Sequence, residues 1–191
     1  MVRHLLVVCT ANVCRSAVAE RLLARELAGH RDVDGHEWVV RSAGTADLRA
    51  AMDRNTIAAA KAVGLVLSEH AARYLTRDIL ATDGADLVLT MTREHLRHVV
   101  ALDPSAWPRT FTLKELARRS ALVAPPSAED GGFPAWLERV AAGRRPADLI
   151  QPDPQDDIVD PYGAPRQEHD RMVESLRSHQ EWIRVLLPPQ P

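Results

Sequence analysis

Cysteine is scarce in this chain: 2 among 191 residues, Cys9 and Cys14. A pair so close in sequence cannot staple a domain of this length, so a reducing compartment, the cytoplasm, is expected. An excess of one charge is also missing. The formal net charge is -2, and no basic face stands out, which argues against nucleic acid as a partner. No apolar run approaches the ~18 residues of a membrane span. Met1 to His4 followed by Leu5 to Cys9 imitates a lipoprotein signal, but its apolar stretch is shorter than the ~7–15 residues of a signal core. No metal-ligand spacing links the 8 histidines and 2 cysteines, so neither a metal nor another cofactor is expected.

What is present describes one domain of 191 residues, 46% hydrophobic and large enough for a real core. Strands are expected at 4–9, 37–42, 86–91 and near 109–112, and helices at 15–28, 53–63, 69–80, 93–102 and 113–121. A last helix is expected over 166–187, with Met172, Leu176, Ile183 and Leu187 on one stripe, Pro165 before it and Pro188-Pro189 closing it. Short apolar strands alternating with helices imply an α/β fold: a doubly wound, flavodoxin-like, four-stranded parallel sheet with helices on both faces. In such a sheet the ligand lies beyond the carboxyl end of the first strand, where strand order switches. Residues 122–155 read as an irregular insertion, holding Pro125-Pro126, Gly131-Gly132 and a short helix near 135–142. It is either one wall of the pocket or a solvated excursion.

Cys9-Thr10-Ala11-Asn12-Val13-Cys14-Arg15-Ser16 falls at the predicted ligand position. A loop between a strand and a helix start aims several backbone N–H groups at one spot, and the helix dipole adds to their field. Such a cradle holds an oxyanion such as phosphate. Arg15 supplies a bidentate fork for the same anion, and Cys9 sits at the bottom as a nucleophile.

The spacing Cys-x5-Arg-Ser after an apolar strand resembles the signature of the low-molecular-weight protein tyrosine phosphatases. Asn12 and Cys14 within the loop, Ser42-Ala43-Gly44-Thr45, Ser68-x-His70-x-Ala72-Arg73 and Asp160-Pro161-Tyr162-Gly163 resemble further family motifs in family order. The resemblance implies a phosphomonoester hydrolase acting through a phosphocysteine on Cys9. Arg15 would grip the phosphate and Asp160 would serve as general acid and base, with Asp157 three residues earlier as a rival. Thr10, Ala11, Asn12, Val13, Cys14 and Ser16 would bind phosphate, Tyr162 would line the entrance, and Ser42 and His70 would shape the loop. Substrates would be a phosphotyrosine protein or a small aryl phosphate. Cys14 is either a disulfide partner for Cys9 under oxidant or inert packing.

Four positions depart from the family pattern. Ala11 stands where the family has Gly, Ala17 where it has Pro, Leu48 where a pocket-rim aromatic is common, and Val159 where Pro precedes the acid. Two other classes remain open on the sequence. Arsenate reduction would use the same cradle but needs an external thiol, since a third cysteine is missing. A non-catalytic phosphate-binding module would not need the Asp160-Pro161 step.

Overall fold

The computed structural model describes residues 1–48, 50–151 and 153–187 of the chain. Leu5, Leu6, Val7 and Val8 are all fully buried, each worth roughly 1.5–3 kcal/mol relative to exposure, and they form the centre of β1 (Val2–Cys9). The other strands are β2 (Glu37–Gly44), β3 (Leu87–Thr90) and β4 (Thr110–Thr112). Their spatial order is β2-β1-β3-β4, with every pairing parallel. The helices are α1 (Arg15–Leu27), α2 (Arg54–Ala62), α3 (Arg77–Asp83), α4 (Arg93–Leu102), α5 (Leu113–Ser120), α6 (Gly132–Ala141) and α7 (Arg166–Ser178).

Successive side chains of β1 point to opposite faces, so each face acquires its own core. Leu5, Val7 and Cys9 join a large cluster with Leu22 and Leu23 of α1, Leu116 of α5, Trp136 of α6 and Leu176 of α7. Leu6 and Val8 join a smaller one with Leu80 of α3 and Val99 of α4. Helices therefore cover both faces, the doubly wound arrangement read from the sequence. The chain runs from β1 out to β2, then crosses to β3 on the other side. The carboxyl ends of β1 and β3 thus frame the crevice at the switch point.

Two expected helices differ. Of the 69–80 segment only residues 77–80 are helical, as the start of α3 (Arg77–Asp83), capped by Thr76. The donors just before it are taken elsewhere: Arg73 N–H bonds Asn12 Oδ1 and Leu75 N–H bonds the Gly44 carbonyl. The last helix stops at Ser178 and resumes as a 3₁₀ turn at Glu181–Leu186. Both pieces still bury the expected stripe, through Met172, Leu176 and Ile183. Pro188-Pro189 lies outside the described residues.

The 122–155 segment is also more regular than expected. Phe133, Trp136, Leu137 and Val140 of α6 are buried. Phe133 packs edge-on against Trp38 of β2 at 5.2 Å and lies under the Arg3 guanidinium at 4.8 Å. The α6 part of the insertion is therefore part of the core, because its apolar residues recur at 133, 136, 137 and 140, one helical face.

Candidate active site

β1 ends at Cys9, and α1 begins at Arg15 with Cys14 as its N-cap residue. The carbonyls of Cys9 and Thr10 accept from Thr45 and Ala46 N–H at 2.9 Å each. With its carbonyls tied to the continuation of β2, the loop backbone is fixed before any ligand arrives. Gly44 makes this approach possible: a Cβ there would stand 2.5 Å from the Thr10 carbonyl oxygen. That is the physical content of the glycine in Ser42-Ala43-Gly44-Thr45.

Asn12 is the one non-glycine residue with positive φ among the described residues, at 58°. Asn tolerates this left-handed conformation better than most residues. The strain falls on Asn12, so Ala11, standing where a glycine was expected, is spared a glycine-only conformation. Asn12 is also a junction. Its Nδ2 donates to Ser16 Oγ at 2.9 Å and to Ser42 Oγ at 2.7 Å, while Oδ1 accepts from Arg73 N–H. Its carbonyl accepts from His70 Nε2 at 2.7 Å.

These bonds have a direction. Ser16 Oγ accepts from Asn12, which leaves its own proton for Cys9 Sγ 2.9 Å away. Ser42 Oγ likewise accepts from Asn12 and donates to the Glu20 carboxylate. The Arg73 guanidinium bonds the Ser42 carbonyl twice and pairs with Asp83 at 2.7 Å. The loop-shaping positions Ser42 and His70 thus meet at Asn12.

Arg15 is 3% exposed. Its Nη1 donates to the Ile158 carbonyl, and Nη2 donates to Thr10 Oγ1 at 3.1 Å and to Asp160 Oδ2 at 2.5 Å. Buried Nε has no partner among the described residues. Asp160 also accepts Tyr162 N–H, so it is a turn residue as well as the partner of Arg15. Its rival Asp157 instead accepts the N–H of Arg93 at 2.8 Å, and does not line the cleft.

Cys9, Thr10, Ala11, Val13, Cys14, Arg15, Asp160 and Tyr162 line one cleft of about 380 Å³, with Leu48 and Ala50 on its rim. The side chains of Asn12 and Ser16 do not line the cleft; both are fully buried and bonded to one another. No described residue of 122–155 is among those lining the cleft. Burial pushes the Cys14 thiol up to about 12, against a hydrogen bond from Thr56 that works the other way. Cys14 is therefore a protonated thiol at neutral pH, whereas the reactive form of any cysteine is the thiolate.

Glu20, Arg73 and His95 received no role from the sequence. Glu20 follows Ser16 by one helical turn and so occupies the inward face of α1, where a carboxylate is out of place unless bonded. His95 shares the inward stripe of α4 with Val99. Its ring links Thr10 Oγ1 at 2.9 Å to Thr92 Oγ1 at 2.8 Å. Burial, aided by the charge of Arg15, pushes His95 down to about 3, so it is neutral here.

Away from the cleft, Asp32, Asp34 and His36 place potential ligand atoms within 4.8 Å of one another. Arg3 already bonds both carboxylates. Among the described residues no helix is long and apolar enough to cross a membrane.

Known proteins give the same picture. A low molecular weight protein-tyrosine-phosphatase of Escherichia coli, Etp, is 29% identical over 184 residues, covering 95% of this chain and 93% of its own. A probable member of the same group from Ralstonia solanacearum, EpsP, is 31% identical over 74% of this chain and 99% of its own. The crystal structure of Erwinia amylovora tyrosine phosphatase AmsI superposes with a TM-score of 0.65 at 26% identity, covering 97% and 94% of the two chains. YwlE arginine phosphatase from Geobacillus stearothermophilus shares the fold at 24% identity and a TM-score of 0.64, covering 94% and 89%. Residues 4–133 match the family described as low molecular weight phosphotyrosine protein phosphatase, and this chain, with its Cys9–Arg15 loop at the switch point of a parallel sheet, belongs to that family of cysteine-dependent hydrolases.

Proposed function

We propose that this protein hydrolyses aryl phosphate esters, phosphotyrosine in proteins foremost, with Cys9, Arg15 and Asp160 as its catalytic residues. The observation that carries the reading is that thiol, guanidinium and carboxylate converge on one cleft at the end of β1. Cys9 attacks phosphorus as a thiolate: the S–P bond forms as the ester P–O bond breaks. The N–H groups of residues 10–15 and the Arg15 fork stabilise the equatorial oxygens as charge spreads over them. The incoming phosphate takes over Arg15, which frees the Asp160 carboxylate to take up a proton from solvent and pass it to the departing oxygen. Water then attacks the phosphocysteine and loses its proton to Asp160. Ser16 donates its hydrogen bond to the sulfur as the thiolate leaves.

The rim supports an aryl group. Leu48, Ala50 and Tyr162 offer apolar and aromatic surface, and Tyr162 is free to stack on a ring. A phosphorylated guanidinium would call for an acidic partner in the cleft, and Asp160 is the one acid lining it among the described residues. Two free thiols and no described membrane-crossing helix fit a cytoplasmic setting.

The test is metal-free turnover of a phosphotyrosine peptide by the wild type and by Cys9→Ser, with a phosphoarginine peptide alongside. Tyrosine turnover that vanishes in the variant supports the reading. Turnover confined to phosphoarginine, or turnover that survives Cys9→Ser, overturns it.

A further inference from the structure

Asp160 belongs to a short span held at both ends. Downstream, Gly163 N–H reaches Asp53 Oδ2 and the Ala164 carbonyl accepts from Asn55 Nδ2 at 3.1 Å, both residues at the start of α2. Upstream the hold is stronger. Asp156 is 1% exposed and accepts from Arg93 Nε at 2.9 Å and from Arg118 Nη1 at 2.7 Å. Arg93 Nη2 lies 2.7 Å from the same carboxylate. Lys114 Nζ donates to the carbonyls of Pro154 and Asp157. Ile158 N–H donates to the Met91 carbonyl at 2.7 Å, which stitches the segment to the end of β3. Immediately beyond, Val159 is 77% exposed.

A buried carboxylate bound by two arginines is costly to assemble and costlier to break, because removal of one partner leaves unpaired charge. Nothing in the chemistry touches Asp156. Its bonds join the start of α4 and the last turn of α5 to the root of the span that carries Asp160. We propose that Asp156, braced by Arg93 and Arg118, is a positioning residue that sets the reach of Asp160 over the cleft. This rests on the reading of Asp160 as the proton donor. A small error in placing a proton donor is expensive, since hydrogen-bond reach is confined to ~2.6–3.2 Å.

A residue acting through the acid has a signature that general damage lacks. Expulsion of phenolate needs the proton, whereas expulsion of 2,4-dinitrophenolate needs it little. The experiment is therefore kcat/KM on phenyl phosphate and on 2,4-dinitrophenyl phosphate for Asp156→Asn, Asp160→Asn and the double variant. Asp160→Asn should lose on the order of 10²-fold on the phenyl ester and far less on the dinitrophenyl ester. Asp156→Asn should lose roughly 10-fold on the phenyl ester and under about 2-fold on the other. The double variant should be no worse than Asp160→Asn alone, because the two act as one unit. Equal loss on both esters, no loss, or additive loss overturns the brace. If Asp160→Asn itself shows no contrast between the esters, it is the acid assignment that fails. Should Asp156→Asn not fold, Arg118→Met, altering a half-exposed partner, carries the same test with a smaller contrast.

Discussion

The two ends of β1 each hold a buried arginine, and the two are treated in opposite ways. At the amino end Arg3 spends its guanidinium on three carboxylates, Asp32, Asp34 and Asp86. At the carboxyl end, among the described residues, Arg15 faces one carboxylate, half-exposed Asp160, together with a hydroxyl and a carbonyl, and leaves Nε unpartnered. Arg3 is a saturated strut. Arg15 is an undercompensated cation whose one described counter-charge, Asp160, stands half-exposed at the cleft. Function resides where the fold leaves charge available, and stability where it does not.

The sharpest way to break this contrast is at Arg15. Arg15→Lys keeps the charge but loses the fork; kcat/KM on an aryl phosphate should fall roughly 10²–10³-fold with the melting temperature little changed. Arg3→Met should do the reverse. It strands buried Asp32, and a loss of about 3–5 kcal/mol is expected in urea unfolding, with kcat of the folded enzyme retained.

Acid separates the two ends next. His95 beside Arg15 is pushed down to about 3, so an unfolded chain takes up a proton near pH 6.5 that the folded one refuses. Stability is full above about 6.5 and falls by up to about 1.4 kcal/mol per pH unit towards 3. For Asp32, burial pushes up, but the bonds from Arg3 and the His36 backbone outweigh it and hold the carboxyl low. Its contribution is present above the ordinary carboxylate range, about 4, and is lost only below it. Urea midpoints against pH should show the earlier slope vanish in His95→Asn and the later one vanish in Arg3→Met.

The smallest effects concern the cleft walls. Cys14, held as a thiol, should escape iodoacetamide at pH 8 until the chain is unfolded, as peptide mass spectrometry would show. Tyr162→Ala should raise KM for an aryl phosphate a few-fold and leave kcat within about 2-fold, the mark of lost ring contact.

Most of the site was legible in the sequence because it is local: one strand end, one loop, one helix start. The apolar run Leu5–Val8 and the Cys9–Ser16 spacing need nothing from the rest of the chain. The 69–80 segment reads as helical throughout, yet residues 69–76 are not, for the opposite reason. Its backbone is claimed by Asn12 and Gly44, more than twenty residues distant in sequence, and periodicity does not register such bonds. The clamp on Asp156 was invisible likewise, since Arg93, Arg118 and the acid meet only through the fold. Glu20 and His95 did leave a trace, as polar residues on otherwise apolar helical faces.

The rim of the cleft has a consequence beyond catalysis. Leu48, Ala50 and the Tyr162 side chain line the cleft, yet the bonds that link Asn12, Ser16, Ser42, His70 and Arg73 pass through none of them. The cleft is divided into a bonded cradle and a rim that stands apart from it. Exchanging a rim side chain should change which esters fit while leaving the cradle's own bonds in place, so the grip on phosphate and the choice of its leaving group are separable properties of one cleft.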